Sequence, residues 1–419
     1  MGEQSRPNIV LILMDNLGSA DIEPYGAEDI NTPNLNQLAS EGVRLTQCYS
    51  NGPVCTPARA ALMTGRYPGR AGLEGNVQRH EPDKGLAPSE TTIARMLKDN
   101  GYATAIFGKW HLGFKPEHGP NAHGFDQFFG FLDWTIDYHS HRNVNGLPAL
   151  YENTELVEQD GYLTDLLTDR AVSFINQHAS QPFFTFVSYN APLPPYQQPD
   201  DPDDVRDAQS WFDTNRQNYI RSIERADEGI GRILDALNTN GLSEDTIVIF
   251  ASDHGGDSEI SNNNKPFFHG FGTLWEGGIR VPCIIRWPGH LPAGTESSQP
   301  TITTDLTASI LASASANPPE NRNLDGVNVF PMLNGTEPAA ERTFFWRINF
   351  DGRQQTAVRQ GKWEYMLDGG AMPRAATLLF DLEVDVGERQ NLAHQYTEVT
   401  ERLQQELMRW EQDIDGPAS

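Results

Sequence analysis

Asn-Ile-Val-Leu-Ile-Leu-Met, residues 8–14, is a continuous apolar run of strand length that leads directly into Asp15-Asn16. A run without polar alternation predicts a strand that is buried on both faces, as in a parallel sheet covered by helices. Ligands of open α/β sheets gather at the carboxyl ends of the strands. The side-chain oxygens of Asp15 and Asn16 therefore indicate a cation site at this edge, although both residue types are also common in turns.

The same alternation of strands and helices continues toward the C-terminus. Strands are predicted at residues 43–49, 103–107, 182–189, 246–252 and 282–287, and helices at residues 32–40, 90–100, 161–176 and 210–237. After residue 340 the pattern changes to four short strands, at residues 343–346, 356–359, 363–366 and 378–381, and a helix at residues 399–414. We therefore expect an α/β fold. A large mixed, mostly parallel sheet sandwiched by helices forms residues 1–340, and a small antiparallel sheet with one helix forms residues 341–419.

Composition and charge exclude several classes of partner. The chain has 31 basic and 57 acidic residues, so its net charge of −26 argues against nucleic acid and acidic membranes. No apolar run approaches the roughly 20 residues of a membrane-spanning helix. The first residues lack a signal peptide, so we expect a periplasmic or secreted protein with its leader removed, or a cytoplasmic protein. An anionic substrate then requires a local group of cations.

The three cysteines are too few for a disulfide framework. Cys48 and Cys283 lie in apolar runs and are expected in the core. Cys55 differs because it opens Cys55-Thr56-Pro57-Ala58-Arg59, a pattern typical of a helix N-terminus. A sulfur atom, an anion-binding helix end and the guanidinium of Arg59 thus come together within five residues, although a buried structural cysteine before an ordinary helix would have the same pattern.

This segment, continued by Thr64-Gly65-Arg66-Tyr67-Pro68, resembles the activation signature of type I sulfatases, in the alkaline-phosphatase-like superfamily. In that family a formylglycine-generating enzyme oxidises the cysteine to formylglycine, whose hydrated aldehyde is the nucleophile. Further family segments are Gly-Lys-Trp-His-Leu-Gly at residues 108–113, Asp-His-Gly-Gly at residues 253–256 and Gly-Thr-Leu-Trp-Glu-Gly-Gly-Ile-Arg-Val-Pro at residues 272–282. The resemblance covers nearly the whole chain.

The resemblance implies a set of site residues. The implied catalytic residues are Cys55, Arg59, Lys109, His111 and Asp253, and the implied metal ligands are Asp15, Asn16, Cys55, Asp253 and His254. Arg59 orders the nucleophile and the metal site, Lys109 neutralises sulfuryl oxygens, Asp253 helps to deprotonate the attacking hydroxyl and His111 is the base that expels sulfate. The implied cofactor is one divalent cation. Ca²⁺ is expected, and Mn²⁺ or Mg²⁺ stay open because a histidine nitrogen is unusual for calcium.

Three positions depart from the family pattern. Asn16 stands where a second aspartate is usual, Leu193 stands where the segment Ala-Pro-His-x-Pro has its histidine, and Phe271 stands at the position of an active-site lysine. Each lost cation would cost about 2–4 kcal/mol of transition-state stabilisation if nothing replaced it. We therefore predict that substrate contacts have moved to other residues, namely His141, Lys265 and His269, although a surface role for Lys265 is an equal alternative.

Three functions follow from these residues. The first is hydrolysis of a sulfate ester, with a small sulfated carbohydrate or aryl sulfate as the substrate. The second is hydrolysis of a phosphodiester or a phosphonate monoester, which related enzymes of the superfamily perform. The third is ligand binding by a catalytically lapsed relative. The intact Cys55–Arg59 segment, Lys109, His111 and Asp253 argue against the third.

Overall fold

A ten-stranded mixed sheet forms the centre of the protein. The computed structural model describes residues 6–201, 205–207, 209–213, 215–257, 262–320, 322–370 and 376–416. Strands outside the C-terminal region are β1 (Asn8–Met14), β2 (Val43–Leu45), β3 (Cys48–Tyr49), β4 (Ala103–Lys109), β5 (Gln127–Phe131), β6 (Tyr151–Glu152), β7 (Glu155–Leu156), β8 (Phe183–Ser188), β9 (Thr246–Ser252), β10 (Cys283–Arg286), β11 (Thr295–Ser297) and β12 (Thr301–Ile302). The sheet has the order β11-β2-β10-β9-β1-β8-β4-β5-β6-β7. Its central pairs, β9-β1, β1-β8, β8-β4 and β4-β5, are parallel.

Helices cover both faces of this sheet. The described helices are α1 (Pro33–Glu41), α2 (Cys55–Thr64), α3 (Ile93–Asp99), α4 (Leu163–Gln177), α5 (Arg216–Thr239), α6 (Glu276–Ile279), α7 (Thr303–Ser313), α8 (Phe330–Leu333) and α9 (Thr397–Asp415). Alternate residues of β1 enter two separate cores, one shared with α2, α3 and α7 and the other shared with α1, α4 and α5. This two-sided burial explains the uninterrupted apolar run of β1 and confirms the predicted fold class. Among the helices described, none combines the length and the apolar character needed to cross a bilayer.

A small antiparallel sheet follows in the C-terminal region. Its strands are β13 (Thr343–Phe350), β14 (Arg353–Gln360), β15 (Trp363–Leu367) and β16 (Thr377–Asp381), in that spatial order. One face packs on Tyr49, Leu274 and Trp275, and the other packs on α9. The indole Nε1 of Trp346 donates a hydrogen bond of 2.7 Å to the carbonyl of Ser50. The sheet thus supports the turn that precedes Cys55, and the division at residues 340 and 341 stays a prediction.

Several predicted boundaries were wrong for local reasons. The run at residues 43–49 forms two strands, because β2 pairs with β10 and β11 while β3 pairs with β12 in another sheet. The helix predicted from residue 210 begins at Arg216, where the Asn215 side chain accepts a hydrogen bond from the backbone of Gln217. The helix predicted from residue 90 begins at Ile93, with Thr92 as its cap. Helix α7 was missed because its sequence, Thr-Thr-Asp-Leu-Thr-Ala-Ser-Ile-Leu-Ala-Ser, has four hydroxyl residues near its start and little amphipathic pattern.

Candidate active site

The carboxyl ends of four parallel strands meet at one edge of the large sheet. Lys109 is the last residue of β4 and Ser188 is the last residue of β8. Asp15 and Asp253 directly follow β1 and β9, and the backbone N–H of Asp253 donates to Met14 at 3.0 Å. The strand register therefore brings residues that are far apart in sequence to one place, where ligands of open α/β sheets bind.

Helix α2 aims its first turn at this edge. Cys55 is the first helical residue and is 3% exposed. The backbone N–H of Thr56 donates to Oδ1 of Asn76 at 2.9 Å, and the Thr56 hydroxyl donates to the carbonyl of His111 at 2.9 Å. Ser50 Oγ also donates to the carbonyl of Asp253. The predicted helix N-terminus at Cys55 is confirmed, and these bonds fix its position against the strand ends.

A buried network of charges surrounds Cys55. Lys109 Nζ donates to Cys55 Sγ at 3.0 Å and to Asp15 Oδ2 at 2.6 Å. Arg59 Nη2 donates to Asp15 at 2.8 Å and to Asp253 at 3.0 Å, and its Nη1 donates to Ser188 Oγ at 2.6 Å. Two carboxylates thus face two cations in a region closed to solvent. Arg59 is suited to this position because its planar fork reaches several acceptors at once.

The ionisation of both carboxyl groups reflects this network. Burial raises the pKa of Asp15, but the positive charges of Lys109 and Arg59 lower it to about 2. Burial and the nearby charge of Asp15 raise the pKa of Asp253 above its ordinary value. The two carboxyl groups therefore differ in proton affinity, and Asp253 is the one better able to accept a proton.

Four side chains could hold a metal ion together. The ligand atoms of Asp15, Cys55, Asp253 and His254 all lie within 4.8 Å of one another. His254 Nδ1 lies 2.9 Å from the carbonyl of Gly255, so Nδ1 donates and Nε2 faces the group. Asn16 Oδ1 is buried without a hydrogen-bond partner among the described residues. An orphan oxygen beside two carboxylates fits a divalent cation, as the sequence predicted.

His254 responds to the same negative charges. Burial lowers its pKa, but the charges of Asp253 and Cys55 raise it to about 9. A histidine binds a metal only in its neutral form, so a cation that binds here releases a proton.

His111 lies beside this group with one nitrogen unpaired. Its Nε2 lies 3.2 Å from the Val77 carbonyl and therefore donates, while its Nδ1 is buried without a partner in the described part of the chain. Its φ of 53° is unusual for a residue other than glycine, which is typical of side chains held in place for function. Burial and the charges of Lys109 and Arg59 move the pKa of His111 well below its ordinary value. Neutral His111 therefore presents an unprotonated Nδ1.

We expect imidazole NMR of the free protein to show His111 still neutral at pH 6.5, with the proton on Nε2. A lowered pKa keeps the basic form populated as the pH falls, so His111 should gain its second proton only in more acidic solution. The spectrum of His111→Asn assigns the resonance by its loss. Protonation of His111 at or above pH 6.5 would contradict the structure.

A cavity of about 260 Å³ opens above Cys55. It is lined by Asn16, Cys55, Asn76, Gln78, His111, Trp134, Leu193, Pro194, Phe212, Asp257 and Phe271. Leu193 and Phe271 thus occupy the cavity wall at the positions where the sequence lacks the family's His and Lys. The Phe271 ring lies 5.0 Å from the ring of His254.

The three residues predicted to replace these side chains lie elsewhere. His141 lines a separate cavity of about 180 Å³, and its Nε2 donates to the carbonyl of Gly161 at 3.0 Å. Lys265 is exposed, and His269 packs against Phe268 with its Nδ1 3.4 Å from the Thr273 hydroxyl. None of the three lines the cavity above Cys55 in the described structure. The geometry gives no support to the relocation.

Several site residues were missed by sequence reasoning. Asn76, Gln78, Phe212 and Asp257 line the cavity, and Ser188 binds Arg59. These residues belong to no motif that the sequence made visible. Only the position of Ser188 at a strand end could have drawn attention to it. The residues that were found, by contrast, all lie close to the end of an apolar strand or in the first two turns of α2.

Comparisons with known proteins agree with this geometry. The family model described as Sulfatase matches residues 7–316, and the model described as N-sulphoglucosamine sulphohydrolase, C-terminal, matches residues 268–413. The chain is 34% identical to N-acetylgalactosamine-6-sulfatase of Mus musculus over 83% of the chain and 70% of that protein. It is 32% identical to arylsulfatase A of Bos taurus over 94% of the chain and 85% of that protein. The crystal structure of Ps i-CgsB in complex with k-i-k-neocarrahexaose superposes with a TM-score of 0.89 and 32% identity, over 99% of this chain and 94% of that one.

Proposed function

Because this chain belongs to the sulfatase family and is a sulfuric ester hydrolase, we propose that its substrate is the sulfate ester of a carbohydrate. The observation that carries the proposal is the position of Cys55. It begins α2 at the base of a cavity, with Lys109 Nζ 3.0 Å from its sulfur and a group of possible metal ligands around it. The carbohydrate is proposed because one of the similar structures is a complex with neocarrahexaose.

The side chains around Cys55 divide the chemistry among them. Formylglycine made from Cys55 supplies a hydrated aldehyde as nucleophile, and a divalent cation, which we propose is Ca²⁺, supplies positive charge at the same place. We assign the making of formylglycine to a maturation enzyme, the formylglycine-generating enzyme. Lys109 lies beside the sulfur and neutralises the oxygens of the ester under attack.

Proton transfer falls to two further residues. Asp253, whose pKa is raised by burial and by the charge of Asp15, accepts the proton of the attacking hydroxyl. His111 carries an unprotonated Nδ1 and accepts the proton whose removal frees the sulfate. Arg59 touches no open part of the cavity and positions Asp15 and Asp253. No cationic side chain takes the place of the family's His at Leu193 among the lining residues described.

We expect Ca²⁺ to raise the free energy of unfolding by about 2.7 kcal/mol at one hundred times its dissociation constant. Asp253→Asn should remove this increase, because Asp253 offers one of the clustered ligand atoms. Asp305→Asn is the matched control, since Asp305 is also a buried aspartate paired with an arginine, Arg342. Urea unfolding with and without Ca²⁺, Mg²⁺ or Mn²⁺ measures the effect and ranks the ions. A full increase in Asp253→Asn would contradict the ligand assignment.

The substrate is tested on protein shown by mass spectrometry to carry the aldehyde at position 55. We expect it to release sulfate from sulfated oligosaccharides and from 4-nitrophenyl sulfate, with little turnover of bis(4-nitrophenyl) phosphate or of a phenylphosphonate ester. Faster turnover of the phosphorus esters would favour the alternative hydrolase. No turnover of any sulfated oligosaccharide, beside active hydrolysis of the aryl sulfate, would reject the carbohydrate.

A further inference from the structure

The walls of the cavity above Cys55 change in character from base to mouth. Cys55, His111 and Asn16 are almost fully buried and polar. Trp134 is half-buried, and Phe212, which also lines the cavity, is 56% exposed. Leu193, Pro194 and Phe271 add further apolar surface. A sulfate ester whose sulfur meets Cys55 therefore places its alcohol against an apolar wall.

Ring stacking and hydrogen bonds hold the apolar side of the cavity in place. The rings of Trp134 and Phe212 lie parallel, with 5.9 Å between their centroids and 8° between their planes. The residue after Trp134 is bound to the opposite segment, because the Thr135 hydroxyl donates to the carbonyl of Pro194 at 2.8 Å. The Tyr138 hydroxyl donates to the carbonyl of Leu193 at 3.0 Å. Trp134, Leu193 and Pro194 therefore keep their relative positions, which lowers the entropic cost of binding a rigid ring.

The charged side chains that line the cavity are also of one sign. Among the lining residues that the structure describes, none is a lysine or an arginine, and Asp257 contributes a carboxylate. Lys109 and Arg59 lie below, where they are closed to solvent and paired with Asp15 and Asp253. A second anionic group on the alcohol would thus meet no cation at the wall and would be repelled by Asp257.

We propose that Trp134, Leu193, Pro194 and Phe212 form a stacking wall that binds an uncharged ring of the alcohol, and that Asp257 selects against a second anionic group on that ring. The inference rests on the proposed function and adds the residues that choose its substrate. Aromatic side chains bind the apolar face of a ring through its area and through ring contacts. The acidic side chain admits hydroxyl groups, which donate hydrogen bonds to it, and disfavours carboxylates and sulfates.

The wall is tested by calorimetric binding of two probes, methyl sulfate and cyclohexyl sulfate, to protein that retains Cys55 and therefore does not turn over. We expect cyclohexyl sulfate to bind about three- to tenfold more tightly than methyl sulfate. Trp134→Ala should abolish this difference while methyl sulfate binds as before. Phe212→Ala should reduce the difference in affinity between the two probes. Because the Phe212 side chain is exposed, its removal should leave the protein folded, so unfolding would not account for the result. Trp363→Ala, at a half-buried tryptophan of β15, is the matched control.

Equal affinity for the two probes in the wild type, or an unchanged difference in both Trp134→Ala and Phe212→Ala, would overturn the wall. Failure of both probes to bind would also overturn it. The result is independent of turnover, so a ring preference in a protein that hydrolyses no sulfate ester would keep the wall and reject the proposed function. Hydrolysis of sulfate esters without a preference for the ring would keep the proposed function and reject the wall.

The charge selection is tested with phenyl sulfate and 4-carboxyphenyl sulfate under the same conditions. We expect the carboxylate to weaken binding at least about fivefold in the wild type, at low ionic strength. Asp257→Asn should recover most of this loss and leave the affinity for phenyl sulfate within twofold. If the carboxylate of the probe weakens binding equally in Asp257→Asn and in the wild type, or does not weaken binding in the wild type, Asp257 does not select against anionic groups.

Discussion

Replacing Cys55 with alanine is expected to lower the turnover of every sulfate ester by more than about 10⁴-fold, the scale seen when a nucleophile is removed. The sulfur of Cys55 lies within reach of Lys109, His254 and Asp15, at 3.0, 3.4 and 3.8 Å. Alanine keeps the helical start of α2, since it is the best helix former, but it offers no atom that can become an aldehyde. The loss should therefore fall on catalysis and leave the fold intact.

The measurement is sulfate release by matured wild type and by Cys55→Ala, with circular dichroism and urea unfolding of both. Cys283→Ala is the matched control, because Cys283 is a fully buried cysteine in β10, away from the cavity lining. In Cys283→Ala the free energy of unfolding should fall as it does when a small side chain in the core is truncated, and kcat should stay the same. Turnover above one per cent of wild type in Cys55→Ala would show that another group is the nucleophile.

Replacing Arg59 with leucine is expected to cost about 3–5 kcal/mol of stability, because Asp253 loses its buried guanidinium partner and Asp15 keeps only Lys109. Arg59 is 1% exposed and donates to Asp15, Asp253, Ser188 and the Lys109 carbonyl. Activity should fall as well, since Asp15 and Asp253 lose the group that positions them.

Urea unfolding measures the loss, with Arg402→Leu as the control. Arg402 forms an exposed pair with Glu406 one turn along α9, so its removal should cost under about 1 kcal/mol. Ca²⁺ should recover more stability in Arg59→Leu than in the wild type, because a bound cation supplies the positive charge that the two aspartates have lost. Equal stability losses in the two variants would indicate that the Arg59 network contributes little to the fold.

Sequence reasoning located the residues that lie close to regular structure. Asp15, Lys109 and Asp253 each lie at the end of an apolar strand. The carboxyl ends of neighbouring parallel strands lie together regardless of the loops that connect the strands. Cys55 and Arg59 lie one turn apart on α2, so their spacing alone places them together. These five positions depend on local pattern and sheet order, which are the features that a sequence carries most clearly.

Residues on long loops could not be located in this way. His141, Lys265 and His269 are near the motif positions in sequence, yet none of them lines the cavity above Cys55 in the described structure. Trp134 and Phe212 stack although 77 residues separate them from each other in the chain. Loop paths depend on many weak contacts over long separations, and no periodicity in the sequence reports them.

The hydrogen bond from Trp346 to Ser50 joins residues 296 positions apart. On the ribosome, the turn before Cys55 is synthesised long before Trp346, which supports it in the folded protein. The bond between Trp346 and Ser50 can form only after β13 has been translated. A chain that terminates early, before β13, would contain every reactive side chain and still lack the support that Trp346 gives to the turn.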